Sequence, residues 1–439
     1  MDKLINSYRE FLDNGKTERE CVREITRLAE EAGYKDISKT DSLKTGDKVY
    51  YTQYGKSIAL FNVGSRPIEE GMNILGAHID SPRLDVKMNP LYQDANTVYL
   101  DTHYYGGIKK YQWVTLPLAI HGVIAKKDGT IVEVKAGEDD DLSFCISDIL
   151  PHCAGEQMKK TASEFIPGEN LDLIVGLAEH KSDDKDKDTG KKAVLQFLKD
   201  EYGIEEDDFL SSELEVVPQG RAKLMGFDRS MVLAYGQDDR VCAFTSLDAM
   251  LATKDAGRTA CCLLVDKEEI GSVGSTGMNS VFFENATAEL LSRLGDGYDG
   301  LKLRRIMRNS FMLSSDVNSA FDPLNPSLYD KKNSSFLAGG VVFNKYTGSR
   351  GKSGASDANA EFIAKLRAKM DEHGVKFQMA EMAKVDLGGG GTIAKFAAYY
   401  GMQVIDCGVA VLSMHAPWEI TSTLDIKAAD DCYRAFLTL

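Results

Sequence analysis

A chain of 439 residues, 43% of them apolar, has enough hydrophobic side chains for two or three domains and too many for a disordered protein. Its formal net charge of −15 argues against nucleic acid and anionic membrane surfaces as partners. Eight scattered cysteines with no CxxC pair describe neither a disulfide framework nor a thiolate zinc site. The first residues carry no basic-then-apolar leader, and no apolar run is long enough to span a bilayer, so the cytoplasm is the expected location.

In chain order, Thr17-Glu18-Arg19-Glu20 is a capping box that opens a helix ending near Gly33. Residues 49–63 read as a hairpin turning at Gly55-Lys56, and 72–78 as a buried strand with polar residues at its end. From about 93 to 228 the character changes. Short strand-like runs occur at 113–120, 130–134 and 171–177, and the acidic stretch 183–188 reads as a solvated loop. Beyond Tyr235, helices (241–253, 286–294, 358–372, 393–399, 424–436) alternate with strands (259–265, 310–314, 377–382, 403–411). Such alternation predicts an α/β domain with a mostly parallel sheet. The expected organisation is a catalytic domain of 1–92 plus 229–439, interrupted by a smaller β-rich domain at 93–228. Three consecutive domains are the rival arrangement. The insertion is preferred because polar sites on both sides of the gap read as parts of one constellation.

Five sites share a pattern, an apolar strand that stops at His, Asp or Glu. They are His78-Ile79-Asp80, Asp238-Asp239, Glu268-Glu269, Asp316 and His415. Ligands of open α/β sheets bind beyond the carboxyl ends of the strands, so five such ends can converge on one crevice. Two imidazoles with several carboxylates suit zinc, with cobalt or manganese as substitutes. A two-metal site needs a bridging carboxylate, terminal ligands on each side and a carboxylate outside the shell to move protons. In a strand, residues two apart face the same side, so Asp80 is placed to reach the far nitrogen of His78 or a metal-bound water. Taken singly, each site has a plain structural reading: a strand-end histidine is commonly hydrogen-bonded, and paired acids commonly face water. The conjunction points to a metallohydrolase. It leaves open a peptidase, a two-metal amidohydrolase acting on small N-acyl substrates, and a silent assembly subunit.

Three runs narrow the choice: His78-Ile79-Asp80-Ser81-Pro82, Asp266-Lys267-Glu268-Glu269-Ile270-Gly271-Ser272 and Ser413-Met414-His415. With the ordered set His-x-Asp, Asp, Glu-Glu, Asp, His, the chain resembles the M18 family of zinc aminopeptidases, the aspartyl aminopeptidase-like enzymes, over nearly its whole length. The resemblance implies two Zn²⁺ per chain and a peptide substrate. Asp238 would bridge the ions through a cis Asp238–Asp239 peptide. His78 and Asp316 would complete one site, and Glu269 and His415 the other. Glu268 would be the general base, and Asp80 would orient His78. The insertion would mediate dimer contacts within a homo-oligomer, a tetrahedral dodecamer in that family. Asp239 stands where the family's aspartyl enzymes have Asn, and Ser319 and Asp322 where they have histidines, so the resemblance leaves open whether the preferred N-terminal residue is acidic. Candidate substrate-binding residues are His152, matched to a histidine that serves a neighbouring active site, together with Lys352 and Gly390. Lys352 lies in a Gly- and Lys-rich run at 346–355 that lacks the full phosphate-loop spacing. Gly390 lies in Gly388-Gly389-Gly390-Gly391-Thr392, which is expected to open a helix.

Overall fold

The structure, a computed structural model, describes residues 1–138, 141–178, 188–295 and 298–439, so 183–187 of the acidic stretch lie outside the described residues. Two compact units form. One comprises Met1–Ser81, Ala222–Met414 and Glu419–Leu439; the other comprises Pro82–Arg221 with His415–Trp418. The sequence reading had drawn the boundaries at 92/93 and 228/229.

The first unit begins with α1 (Asp2–Asn14) and α2 (Glu18–Glu31). The capping box forms as read. Thr17 Oγ1 accepts the Glu20 N–H at 3.2 Å, and Glu20 Oε2 accepts the Thr17 N–H at 3.1 Å. Strands β1 (Lys35–Asp36), β2 (Lys48–Gln53), β3 (Ser57–Asn62) and β4 (Asn73–His78) follow, with β2 and β3 making the expected hairpin.

The second unit holds β5 (Arg83–Asp94), β6 (Thr97–Tyr105), β7 (Leu118–Ala125), β8 (Ile131–Ala136), the one-turn α3 (Ala162–Phe165), β9 (Leu173–Leu177), α4 (Thr189–Tyr202) and β10 (Ser212–Pro218). Its sheet is antiparallel in the order β8-β7-β10-β5-β6-β9. The strand expected over 113–120 begins only at Leu118. Thr115 sits at φ 62°, and Pro117 has no N–H to give a ladder.

The rest of the first unit supplies β11 (Lys223–Met225), β12 (Met231–Ala234), α5 (Gln237–Ala252), β13 (Ala260–Val265), α6 (Phe282–Arg293), α7 (Gly300–Asn309), β14 (Phe311–Ser314), β15 (Asn318–Ser319), β16 (Val341–Asn344), α8 (Ala360–His373), β17 (Phe377–Met379), α9 (Ala394–Tyr399), β18 (Gln403–Gly408), β19 (Ala410–Leu412), β20 (Glu419–Ser422) and α10 (Thr423–Phe436). The main sheet runs β1-β2-β3-β13-β4-β14-β18-β16-β17, and its middle strands β13, β4, β14 and β18 are mutually parallel. Every residue of β4 and β13 is buried, as expected for strands covered on both faces. The expected α/β class with a separate β-rich unit is therefore the observed one.

A third sheet, β11-β12-β20-β19-β15, was not read from the sequence. It divides the single strand expected at 403–411. The chain leaves the main sheet after Gly408 and joins the third at Ala410. Gly408 allows this because a Cβ there would lie 1.9 Å from the Asp316 carbonyl oxygen. Among the described residues no helix is long and apolar enough to cross a membrane.

The α2 cap has a reach beyond its own helix, because the Lys16 carbonyl beside it accepts Arg240 Nη2 at 2.9 Å. Thr17→Ala is expected to lower stability by about 1 kcal/mol, the usual worth of such a cap. The measurement is the urea midpoint at unchanged slope.

Candidate metal centre

His78 is the last residue of β4 and is 1% exposed. Its Nδ1 lies 3.0 Å from the Asp80 carbonyl oxygen and 3.4 Å from Asp80 Oδ1. Those acceptors place the proton on Nδ1 and leave Nε2 as the outward-facing atom. Around Nε2 stand Asp238 Oδ1 at 3.2 Å and Glu268 Oε2 and Asp316 Oδ1, each at 4.0 Å.

Asp80 does a second job. Its Oδ1 accepts the Glu268 N–H at 3.1 Å and its Oδ2 accepts the Glu269 N–H at 3.2 Å. The two glutamates occupy a short 3₁₀ turn after β13, entered through Lys267 at φ 69° and left through Gly271 at φ 91°. Asp266 pins the start of this turn, accepting the Lys267 N–H at 2.8 Å and Thr276 Oγ1 at 2.6 Å. Burial, with the charges of Glu18 and Asp80, pushes the Asp266 carboxyl up to about 6.

Asp238 lies at the start of α5, just past Gly236 at φ 68°. A Cβ on Gly236 would sit 2.1 Å from Arg240 Nη1, so the turn requires glycine. The Asp238 N–H donates to Glu419 Oε2 at 3.0 Å, and its carbonyl accepts Ser81 Oγ at 2.7 Å. Next to it, Gln237 Nε2 donates to the Val232 and Glu419 carbonyls at 3.1 and 2.6 Å, and Tyr8 donates to Gln237 Oε1 at 3.1 Å. The Asp238–Asp239 peptide is cis, as the family resemblance implied.

Among the described residues, two groups of donor atoms, each within 4.8 Å of one another, are suited to a metal ion: His78 with Asp238 and Glu269, and His78 with Asp239 and Asp316. Imidazole with carboxylates is a zinc donor set. Asp239, noted in the sequence only as a departure from the family, joins the second group. Its signal was the doubled aspartate, which reads equally well as a solvated pair.

The electrostatics fit a cation. Burial works against a charged His78, but hydrogen bonds to Asp238 and Asp80 and the charges of Asp80 and Glu268 outweigh it and hold the imidazole pKa well above its ordinary value. Burial, then the neighbouring Asp238, raises the Asp239 carboxyl well above its ordinary value against the pull of His78. Burial, then Asp238 and Asp239, does the same to Asp316. Carboxylates crowded in this way repel one another unless protons or a cation lie between them.

The remaining candidates belong to neither donor group. His415 is grouped with the second unit, at φ 65°, its Nδ1 2.9 Å from the Gly107 carbonyl oxygen. His152 is exposed in a single 3₁₀ turn of that unit. Lys352 and the Gly388–Gly389 pair line a cavity of about 330 Å³ in the first unit, with Tyr346, Thr347, Arg350 and Glu381. Gly390 is next to that pair, and its N–H donates to the Thr347 carbonyl at 3.1 Å. Lys352 Nζ is 3.0 Å from Asp357 Oδ2 and 3.8 Å from the centre of the Tyr346 ring.

The family description Aminopeptidase I zinc metalloprotease (M18) matches residues 11–437. The chain belongs to the M18 family. A probable M18 family aminopeptidase 1 from Clostridium acetobutylicum is 57% identical over 439 residues, 99% of this chain and 94% of that protein. The crystal structure of an M18 aminopeptidase from Thermotoga maritima superposes with a TM-score of 0.95 at 42% identity, covering 100% of this chain and 96% of the other. That of aminopeptidase I from Clostridium acetobutylicum gives 0.92 at 54%, covering 99% and 95%. This M18 chain is thus a zinc metallo-aminopeptidase.

Two outcomes follow for zinc in the M18 protein. Burial and crowding raise the Asp239 and Asp316 carboxyls, the neighbouring carboxylates raise His78, and a metal needs the deprotonated forms of all three. Zinc binding at pH 7 should therefore release protons, read as a binding enthalpy that differs between buffers of different ionisation enthalpy. Equal enthalpies would place the zinc elsewhere. Asp80→Asn leaves one of the two glutamate N–H groups facing an amide donor. Zinc affinity should fall by roughly 10–100-fold, measured by competition with a chelator.

Proposed function

We propose that the M18 chain binds two zinc ions at the end of the parallel strands and uses them to remove the N-terminal residue of a peptide. Asp238 would be shared between the ions. His78 and Asp316 complete one site, and Glu269 and His415 the other; cobalt or manganese are substitutes of the same donor preference. The observation that carries this reading is the division of labour between neighbours. Glu269 belongs to a group of converging donor atoms with His78 and Asp238, whereas Glu268 belongs to neither group and still brings Oε2 within 4.0 Å of His78 Nε2. For His415 the support is the family run Ser413-Met414-His415, together with an Nδ1 engaged by Gly107, which leaves Nε2 for a ligand role.

A zinc pair, when bound, supplies Lewis-acid activation of the scissile carbonyl, a lowered pKa for the attacking water and an anchor for the peptide's α-amine. Glu268, placed beside this site, would act as the general base that accepts a proton from the attacking water and delivers it to the leaving amine. Asp80 holds Glu268 and Glu269 apart by their backbone N–H groups and fixes the His78 ring, so the base and the ligand are not interchanged during turnover. Lys352 and Gly390, from the cavity region at 346–355 and 388–392, face the substrate, and His152 is assigned to recognition by an adjoining subunit.

The assembly is a homo-oligomer with the second unit as its contact. A yeast aminopeptidase of the same fold, 21% identical, is a dodecamer. A cytoplasmic location fits eight cysteines, all of them free.

The test is metal content measured beside kcat. The wild type should bind two equivalents of zinc, and a reconstituted protein holding one at most would refute the shared site. Glu268→Gln should keep both ions while kcat falls by about 10²–10⁴, the usual worth of a positioned acid–base group. Glu269→Gln should loosen one ion and regain part of its activity in excess zinc. The reverse pattern would exchange the two roles.

A further inference from the structure

Asp406 lies on β18 and is 2% exposed, outside both donor groups of the metal centre. Its register partners are Ser314, the last residue of β14, and Asn344, the last residue of β16. One of these strands leads to Asp316 two residues on. The other leads into the 346–355 loop that lines the 330 Å³ cavity. The carboxylate collects a third segment as well. Asp406 Oδ1 accepts Thr392 Oγ1 at 2.6 Å and Ser314 Oγ at 3.1 Å. Thr392 closes the glycine run whose first two members, Gly388 and Gly389, line the same cavity.

Backbone bonds from Gly388 N–H to the Lys384 carbonyl at 3.3 Å and from Gly390 N–H to the Thr347 carbonyl at 3.1 Å tie the run itself. Gly389, at φ 123°, lies so close to the loop that a Cβ would be 2.6 Å from the Gly348 oxygen. Gly388 to Gly391 bring no side chains to pack, and glycine carries the largest backbone freedom of any residue. Thr392 is the first residue after them with a side chain, and it is 8% exposed. Its hydroxyl also accepts the Ala394 N–H at 3.3 Å, at the start of α9. The glycine run is thus tied at its end to an acceptor on β18, inside the main sheet. Burial pushes the Asp406 carboxyl up to about 6, and the Thr392 and Ser314 hydroxyls pull it back. Hydrogen bonds to an ionised acceptor are roughly twice as strong as neutral ones.

We propose that Asp406 is a positioning residue for substrate binding, its carboxylate latching Thr392 and so fixing the 388–392 wall of the cavity against the strand that leads to Asp316. The proposal rests on the reading that this wall faces the substrate. The latch acts on KM. The chemical step belongs to Glu268 and the metal ligands, which Asp406 does not touch.

The test uses the zinc-loaded full-length enzyme with Thr392→Val, which keeps the shape and deletes the hydroxyl, Thr392→Ser, which restores it, and Asp406→Asn. Hydrogen exchange of the 388–394 amides reads the latch directly, without activity. Thr392→Val and Asp406→Asn should speed that exchange roughly tenfold or more, the worth of a hydrogen bond to a charged group. KM for an aminoacyl amide should rise about as much, with kcat and zinc content near wild type. Thr392→Ser should behave as wild type. Unchanged exchange in Thr392→Val would overturn the latch. Faster exchange with unchanged KM would show that the wall does not meet substrate, leaving the two-metal reading untouched. A fall in kcat with loss of zinc would make Asp406 a support for Asp316 and overturn the proposal.

Discussion

The Asp80 carboxylate, fully buried just past the end of β4, accepts the N–H groups of two consecutive residues in the turn after β13. It also faces Nδ1 of the histidine two positions before it. A buried carboxylate is expensive unless its oxygens are satisfied, and here the satisfaction is also the geometry. One charge sets the His78 tautomer, the direction of Nε2 and the separation of Glu268 from Glu269. Each of those side chains is displaced if Asp80 moves. β4 and β13 are adjacent parallel strands, Val265 opposite His78, so the sheet itself delivers the two loops to this carboxylate.

The opposite wall of the centre is held by a network with the same logic. Arg240 is 1% exposed and reaches the carbonyls of Lys16 and Ile79 at 2.9 and 3.3 Å, joining the start of α2 and the His78 loop to α5. Glu419, from β20 in the third sheet, takes the Asp238 N–H through its carboxylate and Gln237 Nε2 through its carbonyl. Asp425 at the start of α10 caps the turn before β16, accepting the Ala338 and Gly340 N–H groups at 2.7 and 2.8 Å. Segments far apart in sequence thus meet through side-chain-to-backbone bonds, which fix position more tightly than apolar packing does.

Much of this was legible in the sequence, for identifiable reasons. The capping box at Thr17 and the hairpin at Gly55-Lys56 are local patterns, decided by a few neighbouring residues. His78, Glu268-Glu269 and Asp316 stood out because each breaks an apolar run, and the parallel strands do carry them to one place. What stayed hidden was tertiary. The stretch 403–411 is continuously β-like, and only the approach of the Asp316 carbonyl to Gly408 divides it between two sheets. β5 was missed because its burial alternates irregularly around a bulge between Val86 and Leu91. Asp239 gave no sign of its place beside Asp316, since an Asp-Asp pair looks the same at the surface as in a core. The inward turn of Asp406 is equally silent until Ser314 and Thr392 are seen on either side of it.

The crowding of Asp238, Asp239 and Asp316 around one imidazole bears on more than the reaction. An unfolded chain would leave these carboxylates apart in water, each with little hold on zinc, whereas the folded one forces them together. Whatever binds the native state alone stabilises it by mass action, by about 2.7 kcal/mol when its free concentration is a hundred times the dissociation constant. Net stability of a whole domain is only about 5–15 kcal/mol. A metal held by these carboxylates would therefore raise the melting temperature of the protein, and its removal would lower it.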